Sequence, residues 1–142
     1  MNINVYQIKK ETFSTFLPRF LNTLLSKTQY ISVICNNDAQ VSSIDDLLWV
    51  FSSLSFLPHC TYKDTEYSYQ SRVLIEISYN NLKRIPVLLS LTDITALPVE
   101  CKQAYIIDTE SKRLDVSFAQ GKKIQIFVQN KTGGWEKQSQ FT

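Results

Sequence analysis

Apolar positions along this chain change period several times, and each change marks an element. Residues 3–8 alternate apolar and polar, as a short strand does. Phe13, Phe16, Leu17, Phe20, Leu21, Leu24 and Leu25 then recur three and four apart, the spacing of one helical face. Pro18 falls inside that pattern, where its missing N–H costs about 3 kcal/mol in a helix interior. The helix is therefore predicted to begin near Pro18, as a first-turn residue, or to kink there. Residues 30–35 read as a buried strand, and Val41, Ile44, Leu48 and Phe51 place a second helix over 38–51. Residues 71–78 and 87–91 are predicted strands with a turn at Asn80-Asn81 between them, and Pro86 stands where a strand start tolerates it. Residues 105–108 read as a short strand running into a helix over about 109–120. Asp108 or Thr109 would cap that helix, and Gly121 would take the left-handed position that ends it. Residues 123–128 are predicted as the last strand and 130–134 as a turn that lets the indole of Trp135 fold back on the sheet. The polar tail from about 136 to 142 is expected to be loose.

Strands alternating with helices at both ends of the chain predict an α/β layer architecture with a largely parallel sheet. No repeat, linker or low-complexity run interrupts it, so one domain over residues 1–142 is expected. A hydrophobic content of 44% in 142 residues is enough for a substantial core.

Fifteen Lys and Arg against thirteen Asp and Glu leave a net charge of only +2, too balanced for wrapping nucleic acid by charge alone. DNA would be reached indirectly. From residue 102 onward there are seven basic and four acidic residues, so any anion-seeking surface is expected in the C-terminal third. The three cysteines, Cys35, Cys60 and Cys101, have no paired spacing, which argues for a reducing compartment. The start of the chain lacks the pattern of a signal peptide, and no apolar run approaches the length that crosses a bilayer. A soluble cytoplasmic protein without membrane partners is expected.

Candidate chemistry is sparse. The only glycines are Gly121, Gly133 and Gly134, so neither GxGxxG nor a phosphate-binding P-loop is present, and no cofactor is expected. His59 is the sole histidine; its neighbour Cys60 points the other way in an extended segment. One histidine and scattered cysteines do not make a metal site. Asp45-Asp46 reads as a solvated helix face. No catalytic, cofactor or metal residue is expected; the alternative from another class is a small α/β hydrolase or transferase using His59 with a cysteine.

The remaining signal lies in residues 44–59, where a helical stripe gives way to Ser55-Phe56-Leu57-Pro58-His59. Trp49 is one position off the Leu48 stripe, and Phe56 follows in a segment that Pro58 biases toward an extended form. Two such rings either fill the core or form an exposed ridge for a partner to grip.

Leu48-Trp49 followed by this Phe-Leu-Pro-His motif resembles the chi subunit family of bacterial DNA polymerase III holoenzyme. Phe16-Leu17-Pro18-Arg19-Phe20-Leu21 resembles that family's Leu-Pro-x-Leu-Leu helix, Gly121 its last helix-to-strand turn, and Gly133-Gly134-Trp135-Glu136-Lys137 the tail of its alphaproteobacterial members. The resemblance implies a Rossmann-like three-layer fold, with helices on both faces of the central sheet. It implies two docking surfaces, one for the psi subunit of the clamp loader and one for the C-terminal tail of single-stranded DNA-binding protein, which ends Asp-Phe-Pro-Phe. Trp49 and Phe56 correspond to the family's partner-contacting aromatics, which would anchor psi or a helicase-like protein.

The second surface needs an apolar pocket and cations for a terminal carboxylate. Lys112, Arg113, Lys122 and Lys123 supply charge in the expected region, or else solvate an ordinary helix face. This chain departs from the family in having Ser111 in place of an arginine and Leu114-Asp115 in place of an aromatic–lysine pair. The implied function is a non-enzymatic adaptor in DNA replication; an interaction module outside replication is the other reading.

Overall fold

Ile3 and Val5 turn one way and Asn4 and Tyr6 the other, and this alternation builds the first strand, β1 (Asn2–Gln7). The computed structural model describes residues 2–52, 59–64, 71–77, 87–92, 101, 103–109, 123–129 and 134–141. After β1, a 3-10 turn (Lys10–Thr12) leads into α1 (Phe13–Leu25). Next come β2 (Ile31–Ile34), α2 (Asp38–Ser52), β3 (His59–Thr61), β4 (Val73–Glu76) and β5 (Val87–Ser90). Then follow β6 (Gln103–Asp108), β7 (Lys123–Gln129) and β8 (Trp135–Phe141).

The strands form one sheet in the order β3-β4-β2-β5-β6-β1-β7-β8. Every pairing is parallel except that of β7 with β8. The largely parallel α/β sheet predicted from the alternation of elements is therefore present. Parallel strands are buried on both sides, and these read accordingly: β2, β3 and β5 have no exposed residue. Leu17, Leu21, Leu24 and Leu25 of α1 and Val41, Ile44 and Leu48 of α2 share one core with Val33, Ile75, Leu89 and Ile107. Both described helices thus cover the same face. Ile3, Val5, Ile34, Leu88, Ala104, Ile106 and Ile124 make a second core on the opposite face.

Three expectations need correction. The first helix does not begin or break at Pro18; it starts at Phe13 and runs through the proline. Pro18 forgoes one backbone bond, to Ser14, but it is buried, so packing outweighs the local penalty. Second, the strand predicted over 123–128 is present as β7 but is not the last one. Residues 135–141 pair antiparallel with β7, from Gln129↔Trp135 to Lys123↔Phe141. The indole does fold back, meeting Tyr6 at 5.4 Å edge-on and Phe16 at 5.6 Å, and this aromatic contact anchors the polar strand. Third, β3 is an element the periodicity did not indicate, because three residues are too few to display a period. The predicted helix over 109–120, the Asn80-Asn81 turn, Pro86, Gly121 and residues 130–133 lie outside the described residues.

Candidate partner-binding surface

Helix α2 starts on a reciprocal cap. Asn37 Oδ1 accepts a hydrogen bond from the Gln40 N–H (2.9 Å), and Gln40 Oε1 accepts one from the Asn36 N–H (2.6 Å). From that start, Val41, Ile44 and Leu48 fall on the buried side, so positions 49 and 50 are turned outward. Trp49 is 61% exposed and Val50 72% exposed. Of the two readings of the tryptophan, core filler or exposed ring, the second is correct.

The indole is nonetheless seated. Its ring lies 4.9 Å from that of His59, at 63°, an edge contact between α2 and the first residue of β3. His59 is buried, and its Nε2 stands 3.3 Å from Asp45 Oδ1, one helical turn before Trp49. Asp45, Trp49 and His59 therefore form one unit that the sequence brings from two segments fourteen residues apart. Burial holds the Asp45 carboxyl above its usual range; the nearby charges of Asp64 and Asp46 push the same way, and His59 opposes them. Asp46 is exposed, as a solvated helix face requires, but Asp45 is not part of such a face.

Further along β3, Asp64 Oδ2 accepts from the Thr61 N–H (3.0 Å), closing the turn after the strand. Tyr62 donates its hydroxyl to Asp38 Oδ1, and Lys63 Nζ lies 3.5 Å from the same oxygen. The Tyr62 hydrogen bond, more than Lys63, holds the Asp38 carboxyl below its usual range. His59 was legible in the sequence as the lone histidine, yet its role as the seat of Trp49 was not. The available signal was Asp45 placed four residues before Trp49.

Phe56, Lys112, Arg113 and Lys122 lie outside the described residues. Lys123 is exposed and opens β7. It is six strand positions from β3, about 29 Å at about 4.8 Å per step. The Trp49 unit and Lys123 thus belong to well-separated parts of the sheet.

Burial pushes the Cys35 thiol up to about 12, the opposite of what a thiolate nucleophile needs. Among the described residues, no three His, Cys, Asp or Glu side chains converge as a metal site. A cleft of about 610 Å³ opens at the carboxyl ends of β2, β5 and β6, lined by Asn36, Asn37, Gln40, Thr92, Asp108 and Thr109 among others. The Gln40 amide at that helix N-terminus is already taken by Asn37, and Asp108 adds negative charge, so the cleft is poorly suited to phosphate.

The profile of one protein family, DNA polymerase III chi subunit, HolC, matches residues 1–123. The chain belongs to the chi subunit family. That family is a non-catalytic accessory subunit of DNA polymerase III, so this chi-family chain is a replication protein. The matched span contains Trp49, Phe56, Lys112, Arg113, Lys122 and Lys123, and it ends at the first residue of β7. No curated protein and no solved structure gives a match. No helix among the described residues is long and apolar enough to cross a membrane.

Proposed function

We propose that this chi-family chain is a tether in the cytoplasm, joining the psi subunit of the clamp loader to the C-terminal tail of single-stranded DNA-binding protein. Trp49 and Phe56 anchor psi, or a helicase-like protein that competes for the same place. Lys112, Arg113, Lys122 and Lys123 receive the acidic tail. The observation that carries the reading is the 61% exposure of an indole held on a buried histidine. A large ring left in water on a fixed seat is a ready-made hot spot, because little of its freedom remains to be lost on binding.

The separation of Lys123 from the Trp49 unit supports simultaneous docking. With both ends held, each contact can be modest, since the second becomes intramolecular. DNA is reached only through the coated template, in keeping with a net charge of +2. The reading includes the Rossmann-like three-layer arrangement of the family, supported by the apolar cores on both faces of the sheet. It also includes the alphaproteobacterial type, supported by the Gly133-Gly134-Trp135 motif.

The test has two arms. Trp49→Ala and Phe56→Ala should abolish co-purification with psi while the far-UV spectrum and melting curve stay near those of the unaltered protein. A labelled peptide ending Asp-Phe-Pro-Phe should bind saturably, should fail without its last phenylalanine, and should weaken on replacement of Lys112 or Arg113. Undiminished capture of psi by both aromatic variants would remove the first surface, and indifference to the final phenylalanine the second.

A further inference from the structure

Helical spacing puts two carboxylates one turn before two large exposed apolar side chains of α2. Asp45 and Trp49 are four apart, as are Asp46 and Val50, and Asp46 is also three from Trp49. Asp64 joins them from the turn after β3, close enough that its charge and that of Asp46 both act on Asp45. Cations are scarce here. Among the described residues, α2 and residues 59–64 hold four acidic residues and one basic one, in a chain whose total is +2. The single cation, Lys63, is occupied with Asp38 at 3.5 Å.

From this arrangement we infer that the Trp49 surface receives a basic segment of its partner, an arginine or lysine whose stem lies along Trp49 and Val50 while its charged head meets Asp46 and Asp45. This deepens the docking role proposed above and rests on it, with psi as the occupant.

The chemistry is specific. Long basic side chains cover apolar surface with their methylenes and keep the charge at the tip, which matches an apolar pair flanked by carboxylates about one turn away. A guanidinium can also lie over the indole face while pairing with a carboxylate. The mutual repulsion of Asp45, Asp46 and Asp64 is a cost of the unbound state that a cation relieves. An acidic or purely apolar partner would leave that repulsion in place and desolvate the carboxylates without compensation. Because Trp49 is braced by His59, the apolar and charged parts of the site are held in fixed relation before any partner arrives.

The experiment measures recombinant psi binding to the full-length protein by titration calorimetry across a salt series, with Asp46→Asn, Asp46→Lys and Trp49→Ala variants. Asp46 is exposed, so its replacement leaves the core untouched. Affinity of the unaltered protein should fall steadily with salt. At about 0.1 M NaCl, where screening is still partial, Asp46→Lys should weaken binding about tenfold or more, and Asp46→Asn less. The salt dependence should flatten in both.

If Trp49→Ala loses psi while Asp46→Lys binds as tightly as the unaltered protein with the same salt dependence, the ring docks psi but no cation meets it, and this inference alone is overturned. If Trp49→Ala binds psi normally, the docking role itself fails and the inference goes with it. Self-association of the protein alone, dispersed by Asp46→Lys in sedimentation, would assign the acidic surface to a second copy and overturn psi as its occupant.

Discussion

His59 braces Trp49. Their ring centres are 4.9 Å apart at 63°, and the imidazole is fixed in turn by Asp45 at 3.3 Å. His59→Leu would take away both the ring under the indole and the partner of a part-buried carboxylate. A loss of about 1–3 kcal/mol is expected in urea denaturation. In a Trp135→Phe background, which leaves Trp49 as the sole indole, its emission should also change in intensity and wavelength. Unaltered emission would mean that the histidine does not set the ring.

Glu76 should make stability fall with rising pH. It ends β4 beside Ile34, is only 5% exposed, and its Oε2 has no hydrogen-bond partner among the described residues. Burial pushes its carboxyl from 4.5 up to about 7. The folded state therefore holds the proton more tightly than the unfolded chain does. Its contribution is fully present below about pH 4.5 and is lost as pH rises through about 7, on the order of 3 kcal/mol in all. Glu76→Gln should flatten that slope and stabilise the protein at about pH 8, as read from urea midpoints at several pH values.

Arg72 acts as the cap of α1. Its Nη2 donates to the carbonyls of Leu25 (2.6 Å) and Thr28 (3.0 Å), and its Nε to that of Gln29 (3.1 Å). The Leu25 carbonyl lies in the last turn of α1, at the negative end of the helix dipole, where a fixed cation is favoured. Arg72→Met keeps the stem and removes the donors; a loss of about 2 kcal/mol is expected. Arg72→Lys should recover little of it, since one ammonium cannot span three carbonyls as a planar fork does. Full recovery in the lysine variant, measured by thermal melting, would reduce the cap to a charge effect.

Trp135 pins the final strand. Its indole contacts Tyr6 and Phe16, and Tyr6 also stacks on Phe127 at 4.8 Å. Trp135→Ala should cost about 1–3 kcal/mol, since aromatic pairs contribute beyond their area. Deleting residues 135–142 should do more than that. It would uncover the outer edge of β7, and concentration-dependent association in sedimentation is the expected sign. A truncated protein that stays monomeric and melts normally would show β8 to be dispensable.

Much of this architecture was legible because it depends on near neighbours. The 3-and-4 spacing of Leu17, Leu21 and Leu24 specifies a helical face whatever lies opposite it, and the apolar run at 31–34 specifies a buried strand. The resemblance to the chi family was carried in the same way, by residue order around Leu48-Trp49 and Leu57-Pro58-His59. Local order alone misjudged Pro18, where burial of the residue outweighs the lost hydrogen bond. It also missed β3 and β8. A strand of three residues has no period, and a polar strand gains its stability from a neighbour's backbone and from one indole, neither of which is adjacent in the chain.

The amino-acid order by itself therefore determined the periods, the charge balance and the family, all of which are properties of neighbours along the chain. Only the tertiary structure decided that Trp49 stands in water, that His59 rather than a core leucine holds it, and that Asp45 is joined to that histidine. Exposure and side-chain pairing depend on which surfaces the sheet brings together, and residues fourteen positions apart meet only once β3 has taken its place beside β4.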